Sequence, residues 1–159
     1  MAFALNPRLI FSALSPNGLP RIINSGGINE IAEASGQSFK AGQLVYNNSG
    51  IAACAADATS VLGIAMEDAV GTGYATHYPE VVVLGPGDRL EITWTSSAGT
   101  ETPVVGTCYG LTVASNKSKL DYDEVTTKLW RVEKILDATL KRCVVICNNT
   151  AALWQYYAV

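Results

Sequence analysis

Polar and apolar residues alternate in short runs over most of this chain, and from Phe39 onward the runs are separated by turn residues. That syntax predicts β-strands. In Arg89 to Thr95, Leu90, Ile92 and Trp94 point one way and Glu91, Thr93 and Thr95 the other. Gln43 to Asn47 leads into the hairpin-type turn Asn47-Asn48-Ser49-Gly50 and then Ile51 to Ala55. Val61 to Glu67 is expected to carry Leu62, Ile64 and Met66 on one face. Glu80 to Leu84 runs into Gly85-Pro86-Gly87-Asp88, which reads as a tight turn, and further strands are expected over Tyr109 to Ala114, Lys119 to Tyr122, Lys128 to Leu136 and Lys141 to Cys147. A helix over the alanine-rich stretch from Ala52 to Ala69 competes with the strands there, but Gly63 and the β-branched Val61 and Ile64 oppose it. The expected fold is all-β, a compact barrel-like or sandwich-like body of about eight short strands with an extended N-terminal arm. A loose echo between 45–69 and 111–138 (strand, turn, strand, polar connector, then a strand ending in Asp-Ala) would suit a barrel built from two similar halves.

Residues 1–37 differ in kind from the body at 38–150. Pro7, Pro16 and Pro20 break regular elements. Yet Phe3, Leu5, Leu9, Ile10, Phe11, Leu14, Leu19, Ile22 and Ile23 are too many apolar side chains for a solvated linker. The segment is expected to lie extended on a surface, with few backbone partners in residues 1–27. The helical spacing of Ile28, Ile31 and Ala32 suggests one short helix between arm and body. At the other end, 151–159 is an apolar tail whose Trp154, Tyr156 and Tyr157 form either an interface or a last strand of the core.

The composition of the 159 residues narrows the chemistry. Eleven Lys and Arg against fourteen Asp and Glu leave no general basic field for nucleic acid or an anionic membrane. No apolar run is long enough for a membrane helix, and the start of the chain lacks the marks of a signal peptide. His77, the only histidine, has no nucleophile motif beside it and is expected at the surface. Cys54, Cys108, Cys143 and Cys147 read as free thiols. Cys143 and Cys147 share a strand face about 13 Å apart, too far to share a metal. The acidic groups Glu67-Asp68 and Asp121-Tyr122-Asp123-Glu124 lack calcium-loop spacing and read as solvated turns. Asp121-Tyr122-Asp123 resembles a motif of deoxyuridine triphosphatases only superficially, because the arginine and glycine of that motif are missing. No enzyme, cofactor or metal is expected.

Three segments taken together, FKAGQLVY (39–46), ADATSVLGIAMEDA (56–69) and VVVLGPGD (81–88), resemble the capsid decoration or cement proteins of tailed bacteriophages. The likeness spans about Phe39 to Asn148. It implies a β-barrel-like body, homotrimers on the outer surface of the virion, the major capsid protein as partner, and an extended N-terminal arm on the shell. The apolar tail and the N-terminal segment depart from the pattern. On this reading Phe3, Leu5, Arg8, Ile10, Phe11, Trp154 and Tyr156 are the residues expected to bind capsid or neighbouring subunits. The alternative is a small-ligand or glycan-binding β-barrel, which would need a cavity lined by Trp94 or Trp130.

Overall fold

The computed structural model describes residues 8–11, 21–23, 31–56, 58–71, 77–85, 87–124 and 126–147. The protein is all-β, with eleven strands and no helix among these residues. In chain order they are β1 (Arg8–Phe11), β2 (Arg21–Ile23), β3 (Leu44–Asn47), β4 (Ile51–Ala53), β5 (Gly63–Ala65), β6 (Val81–Val83), β7 (Arg89–Thr95), β8 (Cys108–Ala114), β9 (Lys117–Asp121), β10 (Trp130–Asp137) and β11 (Arg142–Cys147). Each strand expected from the alternation is present: β7 has the expected limits, β3 to β6 and β11 are shorter than expected, and β8, β9 and β10 each run past the expected range at one end. The alanine-rich stretch is strand and loop, because β5 is paired on both edges, with β3 and β6.

The two sheets repeat one topology. The first runs β2-β6-β5-β3-β4, and the second contains β7-β11-β10-β8-β9, with every neighbouring pair in those two orders antiparallel. Even the rungs correspond. Val45 pairs with Gly63 and Gly63 with Val83, as Tyr109 pairs with Trp130 and Trp130 with Cys147. Leu44 pairs with Ile64 as Cys108 pairs with Arg131. The second half closes on itself where Trp94 and Thr95 of β7 run parallel to Leu120 and Asp121 of β9. The first half makes the same closure through one parallel bridge, Glu33 to Ile51. Glu33 therefore occupies the rung that Trp94 occupies in the second half.

The turns that launch β3 and β8 are likewise equivalent. The Gln43 amide donates to the Lys40 carbonyl (3.0 Å) and the Gly42 amide to the Ala65 carbonyl (2.7 Å). In the second half the Thr107 amide donates to the Val104 carbonyl (3.1 Å) and the Gly106 amide to the Val132 carbonyl (2.8 Å). Gly42 and Gly106 both have φ of +88°, the left-handed region that favours glycine.

Each half has an apolar interior. Phe39, Val45, Ile51, Leu62, Ala65, Val81 and Val83 fill the first. Leu90, Ile92, Trp94, Leu111, Leu120, Trp130, Val132, Cys143 and Val145 fill the second, joined by Leu44, Ile64 and Leu84 from the opposite face of the first sheet. The buried Ser118 hydroxyl accepts the Leu44 amide (3.1 Å), which pins the halves together.

Several expectations are corrected. Leu62 and Ile64 do not share a face: Leu62 enters the first interior and Ile64 the second, while Met66 is exposed. Gly63 lies between them so close to β6 that a Cβ there would sit 2.0 Å from the Val82 carbonyl oxygen. Ile31 and Ala32 are not helical, since Ala32 and Ala34 bond through their backbones to Ile51 and cover the edge of β4. Within residues 1–27 backbone partners do exist, because β1 pairs antiparallel with the first half of β7 and β2 with β6. Ile28 lies outside the described residues.

Candidate functional site

Glu33 faces a rung that the topology buries, and its exposure is 0%. A lone carboxylate there would be strongly destabilised by lost hydration. The chain satisfies it from three directions. The Val70 amide donates to Oε2 (2.9 Å), the Gly71 amide donates to Oε1 (2.8 Å), and His77 Nδ1 lies 2.6 Å from Oε2. The Glu33 amide returns a bond to the His77 carbonyl (2.8 Å). Burial pushes the Glu33 pKa up, but the Val70 amide, the His77 ring, the Gly71 amide and the charge on His77 together hold it below the usual carboxylate value.

His77 is thus mostly buried rather than free at the surface, with a side-chain exposure of 20%. Its Nε2 lies 3.6 Å from Glu67 Oε1, and the same Glu67 oxygen accepts the Glu80 amide (2.9 Å). Glu33, His77 and Glu67 form a clasp that ties residues 67–71 and 77–80 to the edge of the first half. The imidazole thus bridges two carboxylates, one buried and one half-exposed. No hydroxyl or thiol bonds to the ring among the described residues. Attached to the clasp are three exposed apolar side chains, Met66, Val70 and Tyr78. Met66 sits opposite Glu80, to whose carbonyl its amide donates (2.9 Å).

Other acidic groups work within the fold. Asp68 accepts from Lys40 Nζ (2.8 Å) and the Ala41 amide (2.9 Å), which lower its pKa in that order. Glu124 caps the Thr126 and Thr127 amides, and Asp121 takes the Asp123 amide. Glu91, buried on the outward face of β7, pairs with Arg142. None of the four cysteines is in a disulfide: Cys54, Cys143 and Cys147 are buried in the core and Cys108 is half-buried. Burial, followed by the neighbouring Glu91 charge, pushes the Cys143 thiol up to about 12, and burial raises Cys54 as well.

Two shallow concavities lie on the described surface. One, of about 240 Å³, is lined by Thr107, Cys108, Tyr109, Tyr122, Glu124 and Lys128, with the Tyr109 and Tyr122 rings stacked at 5.5 Å. The other, of about 210 Å³, lies beside Tyr46 and Thr59. Neither is lined by Trp94 or Trp130, which are buried in the second interior.

Among the residues expected to bind a partner, Arg8, Ile10 and Phe11 belong to β1. Phe3, Leu5, Trp154 and Tyr156 lie outside the described residues. The structure instead brings forward Glu33, Met66, Val70 and Tyr78, together with Val104 and Val105 at the tip of the turn before β8. No protein-family model matches the chain, and no curated protein matches it either.

Proposed function

We propose that this protein is structural: it decorates the outer surface of a tailed-phage capsid as a homotrimer and stabilises the shell by bridging neighbouring major capsid protein subunits. The observation that carries this reading is the division of labour on the β scaffold. Its buried Glu33 and Glu91 are bonded within the chain, as are several of its surface carboxylates, whereas large apolar side chains stand exposed on turns and loop segments. Such a surface suits adhesion to another protein better than turnover of a small substrate. The three segments that carry the resemblance contribute β3, β5, β6 and the glycine turns at Gly42 and Gly87. A trimer spanning several subunits would bind the closed lattice more tightly than a loosened one, and that difference in affinity is the stabilisation.

The test is to mix the purified protein with undecorated, expanded heads of the phage that encodes it. Protein retained on the heads after dilution, with heads that release DNA at a higher temperature, is the expected result. Heads that stay bare at every concentration would refute the reading. A glycan-binding alternative has no support at the two positions it needs, because Trp94 and Trp130 are 2% and 1% exposed.

A further inference from the structure

The Glu33–His77–Glu67 clasp holds its imidazole in one orientation. Both oxygens of the buried Glu33 carboxylate accept backbone amides, from Gly71 at Oε1 and from Val70 at Oε2. The group therefore works as an acceptor, and the proton in its 2.6 Å contact with His77 belongs to Nδ1. A neutral ring protonated at Nδ1 presents a lone pair at Nε2, on its outer side. That atom faces Glu67 Oε1 at 3.6 Å, with the His77 side chain 20% and the Glu67 side chain 46% exposed. Two acceptors thus face each other where solvent can reach them.

Their separation decides what fits between them. At 3.6 Å the pair is too far apart for a hydrogen bond. Zinc holds imidazole nitrogen and carboxylate oxygen at about 2.0–2.2 Å, so two ligands of one tetrahedral ion stand about 3.4 Å apart. The charge agrees with a cation. The Glu80 amide fastens a further acidic residue to Glu67 (2.9 Å), and among the described residues no Lys or Arg pairs with Glu33, Glu67 or Glu80. Lys40, on the neighbouring turn, is taken up by Asp68. A carboxylate on the inner ring nitrogen is also what fixes the tautomer of metal-bound histidines and raises their basicity.

We infer that His77 Nε2 and the Glu67 carboxylate bind a divalent transition ion, of the class of zinc, on the surface of the first half. Among the described residues no three His, Cys, Asp or Glu side chains gather around one point, so these two are the protein ligands and water completes the coordination. The imidazole selects zinc, nickel or copper over magnesium and calcium, which prefer oxygen. The ion would tie Glu67 to His77 from outside, as Glu33 ties His77 from within. The site lies inside one chain and needs no capsid, so it stands or falls separately from the proposed function.

The experiment titrates zinc chloride into the full-length, 15N-labelled protein near neutral pH. Because His77 is the only histidine, the ring nitrogens of one residue are read directly. Zinc should shift the Nε2 resonance while Nδ1 keeps its proton, and the melting temperature should rise; magnesium chloride at the same concentration should do neither. Glu67→Gln keeps a side-chain oxygen for the Glu80 amide and should fold, but lose both responses. His77→Asn, which keeps a donor toward Glu33, should lose the gain in melting temperature. Cys108→Ser, which removes the one thiol outside the core, should keep both responses. A wild-type Nε2 resonance unmoved up to about 1 mM zinc, the concentration that half-fills a millimolar site, would overturn the inference without reference to any variant. So would a Glu67→Gln protein that responds as wild type does, a response lost in Cys108→Ser, or magnesium acting as well as zinc.

Discussion

Glu33→Ala is expected to be the most damaging single polar substitution in the first half. It removes the carboxylate that accepts the Val70 and Gly71 amides and separates His77 from its 2.6 Å partner. Leaving a buried donor unsatisfied costs about 1–3 kcal/mol. With partial relaxation toward water, three such groups come to about 3–6 kcal/mol, a large part of the roughly 5–15 kcal/mol that holds a domain together. For a chain of this size the melting temperature should fall by about 10 °C or more. Glu33→Gln keeps an acceptor for the amides and should cost less than half as much. The pH dependence adds a second readout. Because the folded carboxylate titrates below its ordinary value, the unfolded chain takes up the proton first on acidification. The contribution is therefore complete above the usual carboxylate pKa of about 4.3 and disappears as the pH falls through the lower folded value. Thermal melts from pH 7 to pH 3 would show wild type losing stability at the acid end and converging on Glu33→Ala. A Glu33→Ala protein that melts within about 3 °C of wild type at pH 7, or a gap between the two that widens on acidification, would refute the account.

Three further outcomes can be measured on the same protein. A thiol-disulfide reagent at neutral pH should modify Cys108 rapidly and the other three cysteines only on unfolding; two or more fast thiols would contradict the burial of Cys54, Cys143 and Cys147. Gly63→Ala should destabilise by about 3 kcal/mol or more in chemical denaturation, because a Cβ there meets the Val82 carbonyl backbone at 2.0 Å, and a tolerated alanine would show that β5 and β6 are not this close. Deleting residues 1–27 should lower the melting temperature and promote association, since it removes β1 from β7 and β2 from β6 and leaves both edges open. A truncated chain as stable and monodisperse as wild type would mean that these pairings contribute nothing.

The strands were legible because their signal is local. Arg89–Thr95 has the expected limits, and Leu90, Ile92 and Trp94 do face the interior, since strict alternation with β-branched and aromatic residues admits little else. The two N-terminal strands were hidden because Pro7 and Pro20 argue against regular structure, while β1 and β2 gain their order from partners far along the chain, β7 and β6. The clasp was hidden for a related reason. His77 and Glu33 are ordinary polar residues in their own neighbourhoods, and only the parallel bridge to Ile51 carries Glu33 inside. The echo between the halves was visible as a sequence of elements but shifted by two residues, because Val45 corresponds to Tyr109 and the bulges in β10 displace the later positions.

Where equivalent rungs carry different chemistry, the repeat indicates what each half is for. Trp94 fills its rung with an aromatic ring whose Nε1 donates to the Glu101 carbonyl (3.0 Å), and the second half is closed by packing. At the same rung Glu33 closes the first half by charge, and in doing so it holds the loop residues that carry Val70 and Tyr78. An apolar residue at position 33 could fill the space but could not bond two amides and an imidazole. The carboxylate is therefore explained by the loop it anchors rather than by the core it occupies. Trp130 and Gly63 differ in the same way: the ring fills the second interior, and the glycine lets β6 approach β5. One backbone plan thus closes one half at this rung by packing and the other by a buried carboxylate, whose contribution is lost as the pH falls through its lowered pKa.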